Sequence, residues 1–174
     1  YDGYDAFCIW HPERYNSVLW ETQWGSFWNI LFTFEPELDK WIGETRHPGA
    51  LDAVTLMYTI TKYTKEHMLP RNGDWTINEY MMIGGQATAD NLPPGITQIQ
   101  YAFRTPSIDM QETIYKVLEN NANAAALATK CKVTIRPITK TRVGLFNKAM
   151  AELIYRNLEL IGPPRYDEKE REFG

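Results

Sequence analysis

The sequence predicts an α+β domain of the ferredoxin-like kind, a β-α-β-β-α-β unit over residues 27–140. One four-stranded antiparallel sheet would carry two helices on one face. Three observations predict it. Apolar residues alternate with a period of two near residues 28–34 and 97–104. Apolar stripes at helical spacing run over two longer segments, 50–68 and 107–129. Clusters of Gly, Pro and Asn separate these stretches. All of residues 1–174 read as a single domain, with flanking segments 1–26 and 141–174 outside the sandwich.

Residues 1–25 mix aromatics with turn formers and show no clear period. Five of the six tryptophans (Trp10, Trp20, Trp24, Trp28 and Trp41) fall in the first 41 residues. The rings either fill a thin core or line an aromatic pocket or subunit contact. From Phe27, the residues Trp28, Ile30, Phe32 and Phe34 alternate with Asn29, Leu31 and Thr33, a strand with one buried face. Residues 35–49 hold two prolines and two glycines and read as a loop.

Residues 50–68 then form a helix. Leu51, Val54 and Tyr58, with Ala53, Met57 and Ile60, make its stripe, and Pro70, Asn72 and Gly73 stop it. Residues 76–83 are rich in strand formers and end at Gly84-Gly85. A turn at Asn91-Leu92-Pro93-Pro94-Gly95 leads to a strand with Ile99, Tyr101 and Phe103 inward and Gln98 and Gln100 on a wet face. The second helix spans 107–129, with Asp109 and Glu112 close to a capping-box spacing and Ile114, Val117 and Leu118 inward. Residues 132–138 form a fourth strand with Val133 and Ile135 inward, and Pro137 suits an edge. A last helix over 144–161 ends at Gly162-Pro163-Pro164, and the charged tail 167–172 is solvated.

Composition excludes some roles. The net charge of −4 and the lack of a basic run argue against nucleic acid. No apolar stretch approaches a bilayer span and no cleavable leader is visible, so no membrane partner is expected. Two cysteines, Cys8 and Cys131, make no disulfide framework and no metal-type pair, which points to a cytoplasmic setting. The first residue is Tyr1 and not Met, which suggests that something upstream is missing.

Several segments carry a resemblance. His47-Pro48-Gly49-Ala50-Leu51-Asp52-Ala53-Val54 resembles the start of the lid helix in the zinc aminoacylase/carboxypeptidase amidohydrolases, in their aminobenzoyl-glutamate and indole-acetyl-amino-acid hydrolase branch. Glu66-His67-Met68-Leu69-Pro70 looks like that branch's helix end. Gly84-Gly85 with Asn91-Leu92-Pro93-Pro94 resembles its turn, and Gln100-Tyr101-Ala102-Phe103-Arg104 its next strand. Asp5-Ala6 with Trp10-His11-Pro12, and Gly162-Pro163-Pro164 with Tyr166, resemble the flanks where the lid leaves and rejoins the catalytic domain. The resemblance spans nearly the whole chain. It implies a lid and dimerisation domain, and hence a homodimer.

The family chemistry that the resemblance implies uses two zinc or related ions, which polarise an amide carbonyl and activate a water, with a glutamate as general base. A lid histidine would stabilise the oxyanion. Little of that set is in this sequence. It has no Cys-x-His, His-x-Asp or Glu-Glu motif. His11 stands at a family metal-ligand position, but a catalytic zinc needs about three protein ligands, so no metal and no cofactor is expected on this chain. Where the lid histidine would follow the first strand, the chain reads Glu35-Pro36-Glu37-Leu38-Asp39-Lys40-Trp41. Asn91 and Arg104 match substrate-binding lid positions. Arg104 is a suitable carboxylate clamp, and the plainer roles are a turn and a strand end.

The resemblance therefore implies the lid of a metal-dependent amidohydrolase without hydrolytic activity of its own. The alternative is a stand-alone descendant that binds or cyclises an apolar small molecule without metal. Trp20, Trp24, Trp28 and Trp41 would then line the pocket, with His11, Asp39 and Arg104 as candidate reactive groups. A purely structural interaction module is a third reading.

Overall fold

The computed structural model describes residues 3, 17–18, 20, 25–37, 49–69, 71, 74–86 and 93–173. The chain divides into two compact units. One comprises Gln23–Gly144, and the other joins Tyr1–Thr22 to Leu145–Gly174.

The first unit is the expected sandwich. Its elements are β1 (Ser26–Pro36), α1 (Ala50–His67), β2 (Thr76–Ile83), β3 (Thr97–Thr105), α2 (Ile108–Thr129) and β4 (Cys131–Lys140). The strands pair antiparallel in the order β2-β3-β1-β4. The period-two stretch on β1 explains why it sits at the centre. Trp28, Ile30, Phe32 and Phe34 are all buried against Ile99, Tyr101 and Phe103 of β3. Phe32 and Tyr101 meet edge to face, with ring centroids 5.9 Å apart. Ala53, Val54 and Met57 of α1 and Ile114, Leu118, Ala122 and Ala125 of α2 close that face. Burying a side chain such as Phe32 stabilises the fold by roughly 2–3 kcal/mol.

Between the helices, the Asn121 amide donates to the hydroxyls of Thr61, at 3.1 Å, and Thr64, at 2.8 Å. A buried amide without such partners would cost about 1–3 kcal/mol. The start of α1 has no side-chain cap. The backbone N–H of Ala50 donates instead to the carbonyl of Pro94, at 3.0 Å, and the Thr97 hydroxyl donates to the Ala50 carbonyl. Gly85 lies here at φ +89°, and a Cβ on it would stand 2.3 Å from Pro94. The helix start and the Gly-Gly and Pro-Pro turn segments, far apart in sequence, thus meet at one end of the sheet.

Three local details differ from the sequence expectation. The cap of α2 is Ser107, whose hydroxyl accepts from the Met110 N–H, and not an Asp109–Glu112 box. Leu51 and Tyr58 face outward, because α1 turns Ala50, Ala53, Val54, Met57 and Thr61 to the sheet. The second face of the sheet is not uniformly wet, since Leu31 and Gln100 are buried there.

In the second unit the last helix, α3 (Lys148–Ile161), begins later than residue 144 because the Asn147 side chain caps it by accepting from the Met150 N–H. The charged tail is exposed as expected and forms a short helix, α4 (Glu168–Phe173).

Candidate functional site

The sheet has two edges of opposite character. At β2, the segment Tyr80-Met81-Met82-Ile83 leaves four large apolar side chains exposed, with Met82 the most at 53%. The strand carries one charged residue, Glu79, which pairs with Lys62 of α1. On α1, Leu51, Thr55, Tyr58 and Lys62 share one face at i, i+4, i+7 and i+11, and Lys62 also lies over the Tyr58 ring. The Lys62–Glu79 pair therefore ties to β2 the flank that exposes Leu51 and Tyr58. An edge strand with unpaired backbone groups and apolar side chains is a template for adding another strand. The signal for it was in the sequence: the alternation of polar and apolar residues fails at residues 80–83.

At β4, three cations (Lys132, Arg136 and Lys140) and Pro137 occupy the strand. Its register to β1 shifts between Asn29 and Ile30, so that Ile138 is extra. Charge, proline and a bulge are the devices that block edge pairing.

The remaining face of the sheet carries a side-chain network. The Tyr80 hydroxyl accepts from the amides of Asn29, at 3.1 Å, and Gln100, at 2.7 Å, and Gln98 donates to Thr33. Arg104 lies on this face with its guanidinium 5.3 Å from the centre of the Phe27 ring. It is exposed, which suits a clamp for an incoming carboxylate.

Of the other predicted site residues, His11, Asp39, Asn91, Trp24 and Trp41 lie outside the described residues. Trp28 is buried and packs against Phe103 and Tyr115. Trp20 is exposed and lines an open groove with Val18, Tyr155, Leu158 and Pro163 of the second unit. Trp28 and Trp20 belong to different compact units.

The described residues do not fit a zinc site. They hold no group of three or more potential ligands. Their one histidine, His67, is exposed at the end of α1. Burial pushes the Cys131 thiol up, away from the thiolate a metal needs. Tyr101 is pushed up to about 12 by burial. Its hydroxyl lies near Thr61 without making a hydrogen bond. No described helix is long and apolar enough to cross a membrane.

No family model matches the chain. It is 26% identical over 175 residues to a p-aminobenzoyl-glutamate hydrolase subunit of Escherichia coli (strain K12), covering 99% of the chain and 35% of that protein. It is 32% identical over 104 residues to Xaa-Arg dipeptidase of Mus musculus, covering 55% of the chain and 23% of that protein. Its fold matches the crystal structure of an aminobenzoyl-glutamate utilization protein from Klebsiella pneumoniae at a TM-score of 0.60 and 12% identity, over 83% of the chain and 37% of that structure. The chain thus spans about a third or less of the proteins it resembles, and the resemblance read from its motifs holds.

Proposed function

We propose that this chain, a homologue of a p-aminobenzoyl-glutamate hydrolase subunit, serves as the lid and dimerisation domain of an amidohydrolase-type protein and hydrolyses nothing by itself. The observation that carries this reading is the contrast between the edges, with β2 open and apolar and β4 blocked. Two copies would pair antiparallel through β2 into one continuous sheet, with Leu51 and Tyr58 packing beside the seam. Arg104 would face a substrate carboxylate, and the ions and the general base would come from outside the described residues.

Two measurements test it together. Light scattering on the purified chain is expected to give about twice 20.2 kDa. Incubation with p-aminobenzoyl-glutamate and zinc is expected to leave the amide intact. A monomer at tens of micromolar would remove the dimerisation role, and turnover abolished by a chelator would overturn the claim of inactivity.

A further inference from the structure

Lys140 is seated in an aromatic corner, and the backbone irregularity of β4 puts it there. Along β4, Ile135, Arg136 and Pro137 stand opposite Phe32, Leu31 and Ile30. Beyond the extra residue Ile138, Thr139 stands opposite Asn29 and Lys140 opposite Trp28. Without that bulge Thr139 would face Trp28, and Lys140 would turn to the other side of the sheet.

The Lys140 ammonium lies 3.8 Å from the centre of the Trp28 ring and 4.7 Å from that of Tyr115. The two rings are 5.9 Å apart and nearly perpendicular, at 67°, so both faces look into one corner. Each wall is held in place. The Trp28 indole N–H donates to the Thr141 carbonyl at 3.2 Å, and Phe103 backs the ring at 6.2 Å. The Tyr115 hydroxyl donates to the Glu119 carboxylate at 3.2 Å, which fixes that ring and brings a negative charge alongside. Two fixed ring faces beside a carboxylate attract a positive charge through the ring quadrupoles.

We propose that the Trp28–Tyr115 corner is a binding site for organic ammonium ions, with Lys140 as its built-in competitor. Lys140 is exposed at the end of its strand, so its strongly hydrated ammonium can return to water at small cost. A methylated ammonium sheds less hydration on entering and presents alkyl surface to both rings. The site therefore favours a quaternary or methylated ammonium over the primary amine that fills it. It lies on the β4 side of the sheet and is independent of pairing through β2.

The test uses the full chain and tetramethylammonium chloride, with sodium chloride at matched ionic strength as control. The Trp28 indole N–H signal, identified by its loss in Trp28→Phe, is followed by two-dimensional NMR. A saturable shift is expected in the wild type. Lys140→Ala should bind roughly two- to fivefold tighter, the range set by an exposed cation–π contact. Tyr115→Leu should lose the shift. Intermolecular NOEs from the methyl protons to both rings, read in Lys140→Ala, give the same answer without altering Tyr115. No saturable shift in Lys140→Ala beyond the control, or an undiminished shift in Tyr115→Leu, overturns the proposal.

Discussion

The two edge strands of this sheet flank the same central pair, β2 beside β3 and β4 beside β1, yet treat the outside world in opposite ways. β2 ends in Tyr80, Met81, Met82 and Ile83, all exposed, and its one charge is used up by Lys62. β4 spreads Lys132, Arg136 and Lys140 along its length, holds a proline and interrupts its register at Ile138. Each device on β4 is a known defence against edge pairing. β2 also shifts register, between Met81 and Ile83, but only at its end and without a cation. Edge strands are the least protected part of any sheet, so the proposed dimer uses the apolar edge and not the blocked one.

The largest expected effect comes from giving β2 the defence of β4. Met81→Lys would add an ammonium group to each strand of the proposed β2 seam, where like charges brought close cost up to several kcal/mol. The dimer dissociation constant should rise by about a hundredfold or more. Sedimentation equilibrium reads this, and an unchanged dimer would move the contact away from β2. The monomer should stay folded, because Met81 is 46% exposed.

A smaller effect should follow from stripping β4 of its defence. Pro137→Val combined with Arg136→Thr restores a backbone donor and removes a charge. One restored hydrogen bond is worth about 1 kcal/mol. Species larger than a dimer should then appear at high protein concentration by light scattering, since each chain would offer two open edges. If the mass stays that of a dimer, the proline and the cation are not what blocks this edge.

The smallest effect lies between the edges, on β3. The buried Tyr101 hydroxyl has no hydrogen-bond partner, so Tyr101→Phe should change stability by no more than about 1 kcal/mol at neutral pH, neutral or favourable in sign. The pH dependence distinguishes the two proteins. The folded tyrosine is pushed up to about 12 from an ordinary 10.0. Its folded pKa is the higher one, so the wild type keeps full stability below pH 10 and loses it as pH climbs toward 12. The phenylalanine variant should lose less over that window in thermal melts. Equal losses would mean that Tyr101 does not titrate there.

Much of the sandwich was legible because its signals are local and strong. Period two on β1 and β3, the stripe on α2 and the Gly and Pro breaks fixed the element order and most boundaries. The face of α1 was less legible, since Leu51 and Tyr58 fit an apolar stripe as well as Ala50 and Ala53 do. The helix turns Ala50, Ala53, Val54, Met57 and Thr61 inward, so the buried stripe is one step round from the one that Leu51 and Tyr58 suggest. The Ser107 cap was hidden by the nearby Asp109–Glu112 spacing. The Lys140 corner was not legible at all, because it depends on one extra residue in β4 that composition does not announce. Arg104 was expected at a strand end, and it lies exposed near the end of β3 on the face away from the helices, while its role toward a substrate stands as a proposal. For His11, Asp39, Asn91, Trp24 and Trp41 the sequence expectation stands by itself, as they lie outside the described residues.

In the proposed dimer two copies of the chain meet through β2. Amide hydrogen–deuterium exchange at low and high protein concentration tests it most directly. The backbone amides of residues 76–83 should gain protection as concentration rises, while those of residues 131–140 should not change. Exchange at β2 that ignores concentration, or protection gained at β4 instead, would contradict it.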